Sequence, residues 1–316
     1  MIVTLTANPS LDRTITIGGP LLPGEVQPAL GERQDAGGKG INVARVVAAA
    51  GVDVLAVLPL EPFDPFDAAL RTTDVSARRV AITGRTRSNV TITDLAGTTT
   101  KLNLPGATLS AAEASAVVDA VVEACAGARW LVLAGSLPPG AGDAFYVDVI
   151  RAVRAAHGSD APLVAVDTSG PALREVVEHG APDLIKPNDE ELAELTGVAL
   201  EGGDLATAVL PVARRLVPSS VGAALVTLGA HGAVLVGRDG AWAGTPPAVR
   251  LASTVGAGDS SLAGYLLAEC AGAPPAERLR SALRYGAAAA SLPGTQAPTP
   301  RDLPSGNVRI TSLDLR

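Results

Sequence analysis

Between about residue 110 and residue 237 the chain alternates between two hydrophobic rhythms, and this alternation narrows the fold more than any other feature. Short Val/Leu/Ala-rich runs at 130–134, 163–167, 183–186 and 224–228 read as strands buried on both faces. Segments with apolar residues three or four apart, at 111–126, 142–156 and 204–216, read as helices, and further helices follow 170 and 188. Repeated strand–helix units predict an α/β fold: a mostly parallel central sheet with helices on both faces. Ligands of such sheets bind beyond the carboxyl ends of the strands.

At 316 residues and 47% hydrophobic, residues 1–316 are expected to form a single α/β domain. Residues 2–7 read as a buried strand, and 14–17 alternate like an exposed one. Residues 88–104 alternate around Ala96-Gly97 and read as a β-hairpin. The segments 12–35 and 86–105 are too short for a domain of their own and are expected to form a β-lid over one end of the sheet. Residues 308–311 are expected to add an edge strand. The net charge of −7, with no basic stripe, argues against nucleic acid and anionic membranes as partners. No run approaches the ~18 apolar residues of a membrane span. The chain opens directly on a strand, and Cys125 and Cys270 lie in apolar helical patterns. Both are expected to be reduced core residues of a cytoplasmic protein.

The chemistry is expected in residues 253–264. A β-leaning segment precedes them, and an apolar helix pattern (Leu262, Leu266, Leu267) follows. Gly256, Ala257 and Gly258 therefore form a tight turn at a helix N-terminus, where unpaired N–H groups and the dipole favour negative charge. Asp259 stands in the first turn. An anion hole beside a fixed carboxylate suits phosphoryl transfer. The plainer alternative is that the glycines only make the turn and Asp259 only satisfies the dipole. The G-x-x-x-x-G-K-[ST] pattern is absent, and G-x-G-x-x-G fails because Ser261 stands at its third glycine. That failure disfavours a nicotinamide dehydrogenase.

A second glycine cluster, Gly37-Gly38-Lys39-Gly40, enters a helix carrying Ile41, Ala44 and Val47. Lysine at a helix N-terminus opposes the macrodipole, so an anion is expected between them; otherwise Lys39 points into solvent. Lys39, Lys101 and Lys186 are the only lysines among 25 basic residues, which singles them out chemically. Asn42, one turn into the helix, needs polar partners if buried. Asn188-x-x-Glu191 matches a capping box and equally a site for hydrated Mg²⁺. Asp167 at a strand end is expected to be a turn-forming residue, and His157, His179 and His231 surface or turn residues.

Together these residues mark a family. Gly37-Gly38-Lys39-Gly40-Ile41-Asn42-Val43-Ala44 resembles the N-terminal signature of the ribokinase-like (PfkB) carbohydrate kinases. Thr254 to Gly264 resembles their C-terminal signature. Lys186-Pro187-Asn188-Asp189-Glu190-Glu191 is similar to the N-x-x-E region, and Thr227 to Gly232 to the nucleotide-site turn. With Thr6 to Asp12 and Asp35-Ala36, the pattern is most similar to the 1-phosphofructokinase and tagatose-6-phosphate kinase branch. The resemblance spans roughly residues 2–295 and implies an ATP- and Mg²⁺-dependent kinase of a ketohexose monophosphate, with fructose 1-phosphate as the first expectation. It implies Asp259 as general base, Gly256, Ala257 and Gly258 as anion hole, and Asp12, Gly37, Gly38 and Asn42 as the sugar site. Lys39 and Arg87 would face the phosphate already on the sugar. Lys186, Thr227, Gly229 and Gly232 would border the nucleotide, and Asn188 and Glu191 would order Mg²⁺ through water. The lid would also meet a second copy in a homodimer.

Two departures touch the sugar side. Gly24-Glu25-Val26-Gln27-Pro28 lacks the branch's arginine, and Pro59-Leu60-Glu61-Pro62-Phe63-Asp64 replaces the usual glycine-rich turn. Tagatose 6-phosphate, fructose 6-phosphate and an unphosphorylated sugar therefore stay open as acceptors. A non-catalytic sugar or nucleotide sensor on the same fold is the reading from another class.

Overall fold

The computed structural model describes residues 1–200 and 204–313. The chain starts with β1 (Ile2–Leu5) and then forms the neighbouring pair β2 (Ser10–Ile17) and β3 (Ala29–Gly37). It returns through α1 (Lys39–Ala49), β4 (Val54–Leu60), α2 (Pro65–Leu70) and β5 (Ser76–Ala81). A hairpin, β6 (Arg87–Asp94) and β7 (Thr99–Asn103), follows. The regular alternation then runs α3 (Ala111–Ala124), β8 (Trp130–Ala134), α4 (Phe145–His157), β9 (Leu163–Asp167), α5 (Gly170–His179) and β10 (Leu184–Ile185). After it come α6 (Asp189–Thr196), α7 (Leu205–Ala213), β11 (Ala224–Thr227), β12 (Ala233–Gly237) and β13 (Gly240–Thr245). The chain closes with α8 (Ala257–Cys270), α9 (Pro275–Ser291) and β14 (Arg309–Leu313).

Ten strands form one sheet in the order β14-β13-β12-β11-β10-β9-β8-β1-β4-β5. The seven from β11 to β5 are parallel, and β12, β13 and β14 are antiparallel additions. Alternate side chains point to opposite faces, so one strand feeds two cores. Leu131 and Leu133 of β8 pack with α3, α4, α5, α6 and α7. Trp130 and Val132 pack with α1, α2, α8 and α9. The expected two-sided α/β architecture is thus present, with β14 at the edge as anticipated. The segments expected to form the lid pair into a second sheet, β3-β2-β6-β7, with β2 and β6 parallel. β7 is exposed throughout, and β3 until its last residues.

Three expectations fail. The segment before Ser253 is not a strand: β13 stops at Thr245, because Pro246 and Pro247 have no N–H to continue the ladder. Cys270 is exposed at the end of α8, whereas Cys125 is buried as expected. Residues 183–186 shorten to β10, cut off by Pro187. Among the described residues no helix is long and apolar enough to cross a membrane. His179 and His231 are exposed, and half-buried His157 bonds only the Val122 carbonyl, at 2.9 Å.

Candidate active site

A cavity of about 1040 Å³ opens at the carboxyl ends of the parallel strands, between the two sheets' facing elements. Every residue singled out from the sequence as a site residue lines it, except Gly37. Gly37 is buried behind Asp12, and a Cβ there would collide with the Asp12 carboxylate.

Gly256 caps α8 at φ +77°, a left-handed conformation natural to glycine, and a Cβ there would meet nothing within 4 Å. The Ala257 N–H reaches the Thr254 carbonyl only at 3.4 Å. Among the described residues the Gly258 and Asp259 N–H groups find no acceptor. These are the orphan donors expected of a helix start. Asp259 is 7% exposed and accepts one bond, from Asn42 Nδ2 at 2.8 Å. Burial raises its pKa to about 6; the charge of Asp167 pushes the same way, against the Asn42 bond and the charges of Lys39 and Lys186. Asn42 Oδ1 is buried with no partner, so the polar company that Asn42 needs is half supplied.

Asp167 is more than a turn residue, contrary to expectation. Its side chain is fully buried between Lys39 Nζ, at 2.7 Å, and Lys186 Nζ, at 3.0 Å. Lys39 thus has a buried counter-charge in this carboxylate. Burial opposes the charged form of Asp167, but Lys186 and Lys39 override it and hold its pKa below the ordinary range. Burial likewise opposes charge on Lys39, and Asp167, Asp259 and Glu191 raise its pKa above normal. The Lys39 side chain remains 36% exposed and reaches the cavity. A Cβ on Gly258 would stand 3.3 Å from Lys186 Nζ, so that ammonium borders the α8 N-terminus.

Asp12 accepts from Ser10 Oγ at 2.8 Å and Asn89 Nδ2 at 2.9 Å. Burial raises its pKa against those two bonds and the nearby Arg87. The guanidinium of Arg87 bonds the Asn8 carbonyl at 3.3 Å. Arg87 also borders a second cavity, of about 530 Å³, with Asn8, Ser136 and Asp143. Asn188 and Glu191 form the capping box: Glu191 N donates to Asn188 Oδ1 at 2.7 Å, and Asn188 N to Glu191 Oε2 at 2.9 Å. Both also line the large cavity, so capping and a metal role are compatible. Asn188 bridges to Thr227, which places α6 beside the turn at Gly229–Gly232. At Gly232, φ is +108° and a Cβ would collide with the Gly244 carbonyl.

Sequence reasoning missed several lining groups. Asn89 and Ser10 could have been found from strand register, since Asp12 pairs with Asn89. The apolar wall of Pro247, Val249, Leu251, Ala287 and Ala290 carries no local signal, because a loop and a distant helix build it together.

The profile of the pfkB family carbohydrate kinases matches residues 8–302. The 1-phosphofructokinase of Rhodobacter capsulatus is 37% identical over 306 residues, covering 96% of this chain and 94% of that protein. The 1-phosphofructokinase of Escherichia coli K12 is 31% identical, covering 94% and 91%. Phosphofructokinase-2 from Escherichia coli superposes with a TM-score of 0.87 at 31% identity, covering 95% of this chain and 96% of that one. With that span of sequence and fold, and both signature segments facing one cavity, this chain belongs to the pfkB family of carbohydrate kinases.

Proposed function

We propose that the protein transfers the terminal phosphoryl group of ATP to a hydroxyl of a ketohexose monophosphate, with fructose 1-phosphate the foremost acceptor. One observation carries this reading. The Asp259 carboxylate, held by Asn42 at the α8 N-terminus, shares a cavity with Asp12, Lys39, Arg87 and Lys186. Asp259 accepts the proton of the sugar hydroxyl as its oxygen bonds to the γ-phosphorus and the bond to the departing ADP oxygen breaks. The free N–H groups at Gly258 and Asp259, in the turn shaped by Gly256 and Ala257, hold the charge on the transferring oxygens.

Asp12, Gly38 and the free Asn42 Oδ1 hold sugar hydroxyls, with Gly37 leaving room for Asp12. Lys39 and Arg87 meet the phosphate already on the sugar. Lys186, Thr227, Gly229 and Gly232 border the nucleotide, whose base fits the apolar wall of Val249, Leu251 and Ala287. Among the described residues no cluster of three or more His, Cys, Asp or Glu side chains is fit to hold a metal. Mg²⁺ keeps most of its waters and needs one or two carboxylates, and Glu191 offers one on the cavity wall. Asn188 and Glu191 would hold it through water, and it would neutralise charge on the phosphates.

The acceptor follows the names of the sequence relatives. Phosphofructokinase-2 was solved with fructose-6-phosphate, which makes the 6-phosphates of fructose and tagatose the competitors. The four-stranded sheet would close over the sugar as a lid. Exposed Leu30 and Leu102 on it, with exposed Leu22 and Val26 in the connection between β2 and β3, fit contact with a second copy, which light scattering of the purified protein would detect. ADP release from MgATP with fructose 1-phosphate, fructose 6-phosphate, tagatose 6-phosphate, fructose and ribose tests the reading. Fructose 1-phosphate should give the highest kcat/KM. Binding of a sugar phosphate without ADP release from any acceptor would leave a sensor instead.

A further inference from the structure

The proposed reaction leaves unused a buried carboxylate behind the cavity, in contact with two of the cavity's lysines. Asp167 ends β9, and neither of its carboxylate oxygens bonds a backbone N–H among the described residues. The turn that follows is held without it. Gly135 N donates to the Asp167 carbonyl at 2.9 Å, and Tyr146 and Thr168 both donate to the Gly135 carbonyl. Both carboxylate oxygens instead face lysines: Oδ1 accepts a hydrogen bond from Lys39, the first residue of α1, and Oδ2 lies 3.0 Å from the ammonium of Lys186, which follows β10, as an ion pair. The two lysines border different parts of the cavity. Lys39 lies one turn before Asn42, and Lys186 lies against Gly258.

We propose that Asp167 is a positioning residue that fixes one ammonium in each of the two substrate sites and so sets the charge around Asp259. This rests on the kinase reading above. A lysine ammonium rides on a flexible four-carbon stem, and only a fixed counter-charge gives it one place. Each ammonium has three donors, so it can hold Asp167 and a ligand phosphate together. Asp167, Lys39, Lys186 and Asp259 sum to zero charge. Without Asp167 the two cations repel each other and relax into the cavity. Because one carboxylate holds both lysines, its loss weakens both substrates at once, whereas loss of Lys39 alone weakens only the sugar phosphate. The groups that act on Asp259 are Asn42 and Lys39 from α1, Asp167 from β9 and Lys186 after β10. Asp167 is the one among them that raises its pKa through charge.

The test compares Asp167→Asn, Lys39→Met and the charge-balanced double variant with wild type, in MgATP and fructose 1-phosphate. Rates are taken as ratios to wild type at each pH, so that the titration of the substrate phosphate cancels. Asp167→Asn should raise KM at least tenfold for both substrates and move the acid limb of kcat/KM to lower pH. Lys39→Met should move that limb to higher pH. Adding Asp167→Asn to Lys39→Met should raise KM for ATP at least tenfold, with less than a twofold further change for the sugar phosphate. Unchanged KM for ATP in the double variant overturns the proposal, and so does an unmoved acid limb in a folded Asp167→Asn. If Asp167→Asn does not fold, the double variant decides. Failure of the double to fold where Lys39→Met folds would make Asp167 a brace of the fold and equally overturn it. Wild type inactive on every sugar phosphate would instead sink the kinase reading itself.

Discussion

Asn42 and Asp259 lie 217 residues apart in the chain, and their side chains meet at 2.8 Å, the amide of one donating to the carboxylate of the other. The contact joins the N-terminal turns of α1 and α8, the two helices that carry the signature segments. It also sets a protonation state. A bond donated to a buried carboxylate favours its charged form, which is the form able to accept a proton. Burial raises the pKa of Asp259 to about 6, and the Asn42 bond works against that rise.

Asn42→Ala should therefore raise the pKa of Asp259 and shift the acid limb of the rate profile upward. Losing a bond to a charged group is worth about tenfold in rate at pH 6, shrinking toward pH 8 as the carboxylate ionises anyway. A pH–rate profile reads this. Parallel losses at both pH values would mean that Asn42 serves only the sugar.

Asp259→Asn should lower kcat by about 10²–10⁴-fold while calorimetry finds ATP affinity unchanged. Its stability should move the other way. A carboxyl group whose folded pKa is raised costs stability at neutral pH, and the cost fades as pH falls and the group protonates. The variant should thus melt higher than wild type at pH 8, and by a smaller margin at pH 5. A margin that grows toward acid would contradict the assigned shift.

The sequence made the periodic parts of this molecule legible and left the composite parts obscure. Strands 130–134 and 163–167 are apolar runs bounded by turn residues, and they stand where expected. Gly256 marks a helix start because its left-handed backbone, at φ +77°, suits glycine. Asp167 has only the local signature of a turn residue, since a strand-end aspartate looks the same with or without distant partners. Lys39 and Lys186 reach it only after β8, β9 and β10 are side by side. The strand expected before Ser253 failed for a local reason, since two prolines end β13.

Glu191→Gln separates capping from metal binding. A glutamine oxygen can still accept the Asn188 N–H bond, now made at 2.9 Å, so the melting temperature should stay within a degree or two. The charge facing the cavity is lost, and the Mg²⁺ concentration for half-maximal rate should rise several-fold at fixed ATP. A lower melting temperature with an unaltered Mg²⁺ requirement would reduce Glu191 to its cap.

Glu269 supplies the contrasting case, a buried carboxylate with no chemical task. It is 6% exposed near the end of α8, opposite the end that carries Asp259. Its oxygens take Arg129 Nη2 and Trp130 Nε1, each at 2.6 Å, and so tie α8 to the start of β8. Burial opposes its charge, yet the bonds from Arg129 and Trp130 hold its pKa below the ordinary range. Such a carboxylate stabilises the fold above its unfolded pKa, and that contribution fades as pH falls through its lower folded value. Glu269→Gln should cost about 2 kcal/mol at pH 7, less at pH 4, with kcat and both KM values unchanged. Urea unfolding at the two pH values, beside a single activity assay, measures all of this. A fall in kcat with stability intact would mean that the far end of α8 reaches the catalytic turn, and that Asp259 is not as locally fixed as its bond to Asn42 implies.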